Sequence, residues 1–282
     1  MEQQNSTSSE QATPSLRELY ASLCTIEHQL RFGCRAESVE VPAWLPEVTL
    51  RAALGTASGQ GTSASGQNKV EAASSPLKEV VGSSRNVEEA LAAMAAEVEA
   101  CRSCALSQTR TRSVFGQGVA VPLVLVIGEG PGAEEDRQGL PFVGASGKLL
   151  DKMLAAINLS RQTNCYIANI VKCRPPNNRE PSPIERDACI GYLERQIELL
   201  KPRFILCAGR TAAHGLLGTT EPISRLRGRT FVFHDIPVVV TFHPSALLRD
   251  ESLKRPAWED LKRLRDMMAA SSTGASHNRN GT

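Results

Sequence analysis

Aromatic residues are scarce: Phe, Trp and Tyr together make up 4% of the 282 residues, which argues against an aromatic-rich binding module. No run of about 18 apolar residues occurs, so neither a membrane span nor a membrane partner is expected. Residues 1–15 are polar and lack the apolar stretch of a secretory signal, so the cytoplasm is the expected compartment. In such a compartment eight cysteines do not suggest a disulfide framework; metal binding or catalysis is the better starting point. Two phosphate-binding signatures are also missing. Gly147-Lys148 is followed by Leu149 rather than Ser or Thr and preceded by Phe142 where a Walker A loop begins with Gly, and Gly128-x-Gly130 does not continue as G-x-G-x-x-G.

What is present is a 41% share of hydrophobic residues, enough for a substantial core. The net charge of +2 hides an asymmetry. Residues 1–100 carry 7 Lys and Arg against 13 Glu, a net −6, and residues 101–282 carry 25 against 17, a net +8. A basic module behind an acidic leader suits a polyanion partner, because Lys and Arg displace counterions from phosphates.

The texture divides the chain into an N-terminal extension, 1–96, a main domain, 97–270, and a disordered tail, 271–282. Within the extension, apolar positions at three- and four-residue spacing predict one helix over 14–32. The Ala, Ser, Gly, Thr and Gln content of 53–86 predicts a flexible linker. Nothing in the extension identifies its partner. A helical pattern then runs from 86 to 100. Further on, β-branched runs at 121–127, 165–171, 204–208 and 236–242 alternate with helical stretches near 146–158, 182–200, 210–217 and 257–269. Buried strands alternating with helices predict a three-layer α/β/α fold around a central four-stranded parallel sheet. Sites in such folds lie at the carboxyl ends of the strands.

Cys101 and Cys104 form a C-x-x-C just ahead of the sheet. Cys173 follows the second strand, and Cys189 lies 16 residues later in a helical stretch. Neighbouring basic residues favour thiolates there. Four thiolates with one close pair suit tetrahedral zinc or an iron–sulfur cubane, and the wide split of the second pair favours [4Fe–4S]. Cys165 and Cys207, inside apolar strands, are expected to be small core residues.

The strand-end loops hold the remaining unusual residues. Gly128-Glu-Gly-Pro-Gly132 through Gly147-Lys148 is a glycine-rich ligand loop, and Ser146 and Lys148 open a helix that suits a phosphate. Asn169 on the second strand offers a donor and an acceptor side by side, the pattern needed to read a base edge. In His243-Pro244-Ser245 the proline restricts the histidine, so its ring is aimed.

These residues carry a resemblance. From about 97 to 270, some 60% of the chain, the sequence resembles family 4 uracil-DNA glycosylases, the iron–sulfur type. The matching segments are C-R-S-C (101–104), G-E-G-P-G (128–132), P-F-V-G (141–144), N-I-V-K-C-R-P-P (169–176), Cys189 and H-P-S-A-L-L-R (243–249). The resemblance implies an enzyme that flips uracil out of single- or double-stranded DNA and hydrolyses its N-glycosidic bond, a step of base excision repair. It implies a [4Fe–4S] cluster on Cys101, Cys104, Cys173 and Cys189, acting as a scaffold. Phe142 would stack on the base, Asn169 would read its edge, and His243 would stabilise charge on the departing base. Glu129 and Gly130 would line the base site. An Asp fills the position of Gly130 in related families, so Glu135 is the first candidate for positioning water and Asp136 the second. Ser245 and Arg249 would contact phosphates, Leu247 would wedge into the base stack, and Lys172, Arg174 and Arg179 would line the DNA path. A monomer is expected. The competing readings are a non-catalytic iron–sulfur DNA-binding homologue, a covalent uracil-trapping relative, which would carry a basic insertion before the last motif, and a zinc-dependent hydrolase.

Overall fold

A computed structural model describes residues 76–277, with side chains over 84–271. The helix expected over 14–32 and most of the 53–86 linker lie outside the described residues. Among the described residues, no helix is long and apolar enough to cross a membrane.

The first helix of the described residues, α1 (Pro76–Ala100), begins inside the expected linker. The Ala, Ser, Gly, Thr and Gln content of 53–86 predicts a flexible linker, but its end from Pro76 onward is helical, and Pro76 stands in the first turn, where its missing N–H costs nothing. The expected boundary at 97 therefore cuts through a helix. Leu91, Met94 and Val98 on it are buried, and Glu97 pairs with Arg195 at 2.7 Å.

Four parallel strands form the centre of the sheet, as the alternating pattern predicts. They are β2 (Val124–Gly128), β3 (Cys165–Asn169), β4 (Phe204–Ala208) and β6 (Ile236–Thr241). Among the described residues the sheet nonetheless has six strands, since a further strand pairs on the outside of β3 and another on the outside of β6. Its outer strands, β1 (Gln117–Gly118) and β5 (Thr230–Phe233), run antiparallel to their neighbours. Both escaped the sequence pattern because edge strands need no continuous apolar run: β1 has two residues and β5 alternates exposed and half-buried positions. A two-residue turn, His234-Asp235, joins β5 to β6 with both residues at positive φ, 46° and 62°, as a tight primed hairpin turn requires. That turn leaves no room for an inserted basic segment.

The helices are α2 (Ala133–Gln138), α3 (Ala145–Ala155), α4 (Pro183–Leu200), α5 (Arg210–Leu217), α6 (Ile223–Leu226), α7 (Pro244–Arg249) and α8 (Lys254–His277). They cover two apolar layers. One joins Leu91, Leu125, Ile127, Leu193, Ile197 and Leu216, and the other joins Val124, Val126, Leu150, Leu154, Leu206 and Leu264. Cys165 and Cys207 are core residues, fully buried. Helix α8 extends beyond 271, into the expected tail, because Met267-Met-Ala-Ala270 continues a good helix-forming sequence.

Candidate active site

Gly128 ends β2 directly opposite Asn169 at the end of β3. A Cβ on Gly128 would lie 2.4 Å from Asn169 Oδ1 and 2.6 Å from Phe142 Cζ. The missing side chain is what lets these two residues converge over the strand end. Asn169 is 1% exposed, and its Oδ1 is a buried acceptor with no hydrogen-bond partner. Leaving such an atom unpaired costs of order 1–3 kcal/mol, so it marks a place for a ligand donor.

Phe142 is 5% exposed and sits at φ 53°. A bulky residue in the left-handed region costs on the order of 1–3 kcal/mol and persists only when its surroundings enforce it. Gly147 permits the turn, since a Cβ there would fall 1.9 Å from the Phe142 carbonyl oxygen. The His243 ring stands 5.6 Å from the Phe142 ring, centroid to centroid.

His243 caps α7. Its Nδ1 accepts from the Ser245 amide at 3.2 Å and meets Ser245 Oγ at 2.8 Å. An Nδ1 that accepts carries no proton, so the ring presents Nε2–H as a donor. Burial pushes the imidazole pKa down to about 4, with Arg249 adding to the effect and Glu135 opposing it. The donor is therefore neutral at pH 7. A Cβ on Gly209, at φ 107°, would come within 2.9 Å of His243 Cβ, so that glycine makes room for the ring.

Glu135 is buried in α2, and its Oε1 accepts from the amides of Val143 and Gly144, both at 2.9 Å. The carboxylate thus already lies at the N-terminal end of α3, where a phosphate on Ser146 and Lys148 would meet like charge. Asp136 Oδ1 accepts from the Thr111 amide at 2.9 Å and secures that loop instead of facing the strand ends. Glu129 accepts from Thr211 Oγ1 at 2.6 Å; burial raises its pKa, Thr211 opposes the rise and Glu180 adds to it. A Cβ on Gly130 would meet Val171 Cγ2 at 2.7 Å, so this backbone has no space for the Asp of related families.

Two expected DNA contacts are corrected. Lys172 is 0% exposed, and its Nζ donates to the Asn169 carbonyl at 2.9 Å and to Gln196 Oε1 at 2.6 Å. An ammonium held there supports Asn169 from beneath and cannot reach a phosphate. Leu247 is 2% exposed and packed in the core, whereas Leu248 beside it is 51% exposed. A helix turns about 100° per residue, and the sequence alone did not fix which leucine faced out. The rest of the expected DNA path is accessible or partly so. Arg249 is exposed and Arg174 half-buried, with its Nε on Asn178 Oδ1 at 2.8 Å. Arg179 pairs with Glu185 at 2.7 Å.

The four expected ligand cysteines are free thiols. Cys173 receives Arg110 Nη1 at 2.9 Å, and Cys189 receives the Lys172 amide at 3.3 Å. Burial raises the pKa of the Cys173 thiol and pushes that of Cys189 up to about 11, so both stay protonated thiols. Among the described residues, no group of three or more His, Cys, Asp or Glu is arranged to hold a metal ion. Arg110 also donates to the carbonyls of Val98, Glu99 and Cys101, tying the end of α1 to Cys173. Sequence reasoning missed Arg110 and Gln196. Gln196 left a signal, a polar residue on the buried Leu193–Ile197–Leu200 face, and Arg110 left none.

The sequence is also similar to known proteins. The family model described as "Uracil DNA glycosylase superfamily" matches residues 115–262. A type-4 uracil-DNA glycosylase of Archaeoglobus fulgidus is 40% identical over 179 residues, covering 61% of this chain and 89% of the relative. One from Sulfurisphaera tokodaii is 38% identical over 61% of this chain and 81% of its own length. One from Thermotoga maritima is 40% identical over 64% and 96%. The matched span takes in Phe142, Asn169 and His243, and the chain belongs to the uracil-DNA glycosylase superfamily, among its type-4 members.

Proposed function

We propose that the protein excises uracil from DNA by hydrolysis of the N-glycosidic bond, leaving an abasic site for base excision repair. The observation that carries the reading is the unpaired Oδ1 of Asn169 beneath Phe142. Uracil offers an N3–H donor beside the O4 acceptor, and an amide complements that pair. Cytosine presents an acceptor at N3 and an amino donor, the opposite pattern. Phe142 supplies the apolar face for the flipped base. The neutral Nε2–H of His243 donates to uracil O2 as the bond to C1′ breaks and negative charge collects on the base.

No strong base is needed, because bond breaking leaves an oxocarbenium-like sugar that water attacks readily. Glu135 uses one oxygen on the Val143 and Gly144 amides, and its Oε2 lies over Gly132. We assign to that oxygen the orientation of water. Glu135→Gln should slow single-turnover excision at least tenfold; full activity would remove Glu135 from the mechanism.

To Cys101, Cys104, Cys173 and Cys189 we assign a [4Fe–4S] cluster rather than one zinc ion. Zinc would need all four sulfurs about 2.3 Å from one point, whereas a cubane spreads them over a larger body. The donor set fits, since all four groups are thiols and Arg110 donates to one of them. When bound, such a cluster supplies cross-links and no hydrolytic chemistry. Arg174 and Arg249 are assigned to DNA phosphates.

The deciding experiment incubates the full chain with a uracil-containing oligonucleotide and its cytosine counterpart, followed by alkaline cleavage of abasic sites. Cleavage of the uracil strand alone is expected. Absence of product from protein showing a broad visible absorbance band would leave the non-catalytic DNA-binding reading.

A further inference from the structure

Arg161 lies on the loop before β3, outside every motif that carries the family resemblance. Its side chain is 7% exposed, an unusual place for a guanidinium unless its donors are matched. They are. Nε donates to Asp151 Oδ1 at 3.1 Å, and Nη2 donates to the same oxygen at 2.8 Å and to the Phe142 carbonyl at 3.0 Å. Nη1 donates to the Pro141 carbonyl at 2.8 Å and to Gln117 Oε1 at 3.0 Å. These five bonds use all five N–H groups of the fork. Two of them end on consecutive carbonyls at the residue whose backbone is turned to φ 53°.

The Phe142 carbonyl is thus held from both sides. Arg161 draws it inward, and Gly147 lies so close that a Cβ there would overlap it. Gln117 lies on the edge strand β1 and Asp151 on α3, so the guanidinium ties three elements to one strained peptide. A lysine could keep the charge but would have three donors in a different geometry, and could not span both carbonyls and both side chains.

We propose that Arg161 is the positioning residue for Phe142: it fixes the left-handed turn that presents the ring to the flipped base, and so sets affinity for uracil without touching it. This rests on the reading that Phe142 stacks on uracil. A ring stacked on the base acts in the ground state and the transition state alike, so loss of its alignment should appear in KM and leave kcat nearly intact.

The test uses the full chain, a uracil-containing oligonucleotide, and free uracil as a competitive inhibitor. Arg161→Lys should raise both KM and the uracil inhibition constant about tenfold, the size of a lost charged hydrogen bond, with kcat changed less than about threefold. In a Phe142→Ala background the same replacement should have little further effect on either constant, since no ring remains to be aligned. Asp151→Ala, at a half-exposed side chain, removes two of the five bonds from the outside. It should raise the same two constants about threefold and provides the measurement if Arg161→Lys does not fold. Unchanged uracil inhibition in a folded variant would overturn the proposal, as would an equal further loss in the Phe142→Ala background. The parent reading is checked separately: if wild-type protein is not inhibited by uracil, or if Phe142→Ala alone leaves that inhibition intact, the stacking role itself fails.

Discussion

The strand-end pocket and the cysteine quartet are held in different ways. At the strand ends, each of Phe142, Asn169 and His243 is anchored by a group from elsewhere in the fold or from its own cap. Arg161 holds the Phe142 carbonyl, Lys172 the Asn169 carbonyl, and Ser245 the His243 ring. Glycines 128, 147 and 209 clear the space they occupy. The quartet spans three segments distant in sequence, and protein hydrogen bonds reach it unevenly. Cys173 and Cys189 are buried and receive donors from Arg110 and Lys172, while Cys101 and Cys104 lie nearer the surface. The pocket is therefore built by the chain itself, and the quartet is where an added group would complete the structure. Lys172 and Cys173 are the meeting point, one supporting Asn169 and the next supplying a thiol.

The largest expected effect falls inside the pocket. His243→Ala removes the donor assigned to the departing base and should lower kcat by about 10²–10³-fold. The visible absorbance of the quartet should be unchanged. Its pH behaviour follows from burial, which holds the imidazole at about 4. With no proton gained until then, kcat should stay flat from pH 8 to about 5 as far as this group decides. For stability the sign is opposite to that of a paired histidine. The unfolded chain takes up the proton near pH 6.5 and the folded chain only near 4, so stability should fall as pH drops through that window. A kcat that titrates with a midpoint near 6.5, absent in His243→Ala, would place the ring in solvent.

The second effect tests the division directly. Cys101→Ser should abolish the visible band and lower Tm by about 5–15 °C, a few kcal/mol for a domain of this size. Excision at 20 °C by the fraction that remains folded should stay within about tenfold of wild type. If kcat instead collapses as far as in His243→Ala, the pocket is not independent of the quartet.

Much of this arrangement was legible in the sequence. The four parallel strands follow from apolar runs of five or six residues, because burial on both faces leaves no polar alternation. Asn169 and His243 stood out at strand ends from their residue types, His243 beside a proline, whereas Phe142 stood out only through the P-F-V-G segment that carries the family resemblance. What was not legible depends on side-chain direction or on partners far along the chain. Lys172 reads as a basic loop residue until β3 places it over Gln196. Arg161 carries no local signal at all, since its four acceptors lie 10 to 44 residues away. The edge strands β1 and β5 are defined by their neighbours rather than by their own composition.

The same limit separates Leu247 from Leu248, and there the expected effect is smallest. Adjacent helical residues differ by about 100° in direction, so only one of the pair can face the DNA. Leu247 is packed against the core and Leu248 is half open on α7, beside Arg249. A wedge has to leave water for the base stack, and burying a leucine there is worth about 1.5 kcal/mol or more, roughly tenfold. Leu248→Ala should thus slow excision from duplex DNA about tenfold. On single strands, where no stack needs to be opened, the change should be under twofold. Leu247→Ala should show the reverse profile: a cavity in the core, about 2–5 kcal/mol of lost stability, and no duplex-specific defect once folded protein is compared. Equal losses on both substrates for Leu248→Ala would make the exposed leucine a contact to the strand rather than a wedge. The cost of opening the duplex would then fall to the preformed pocket alone.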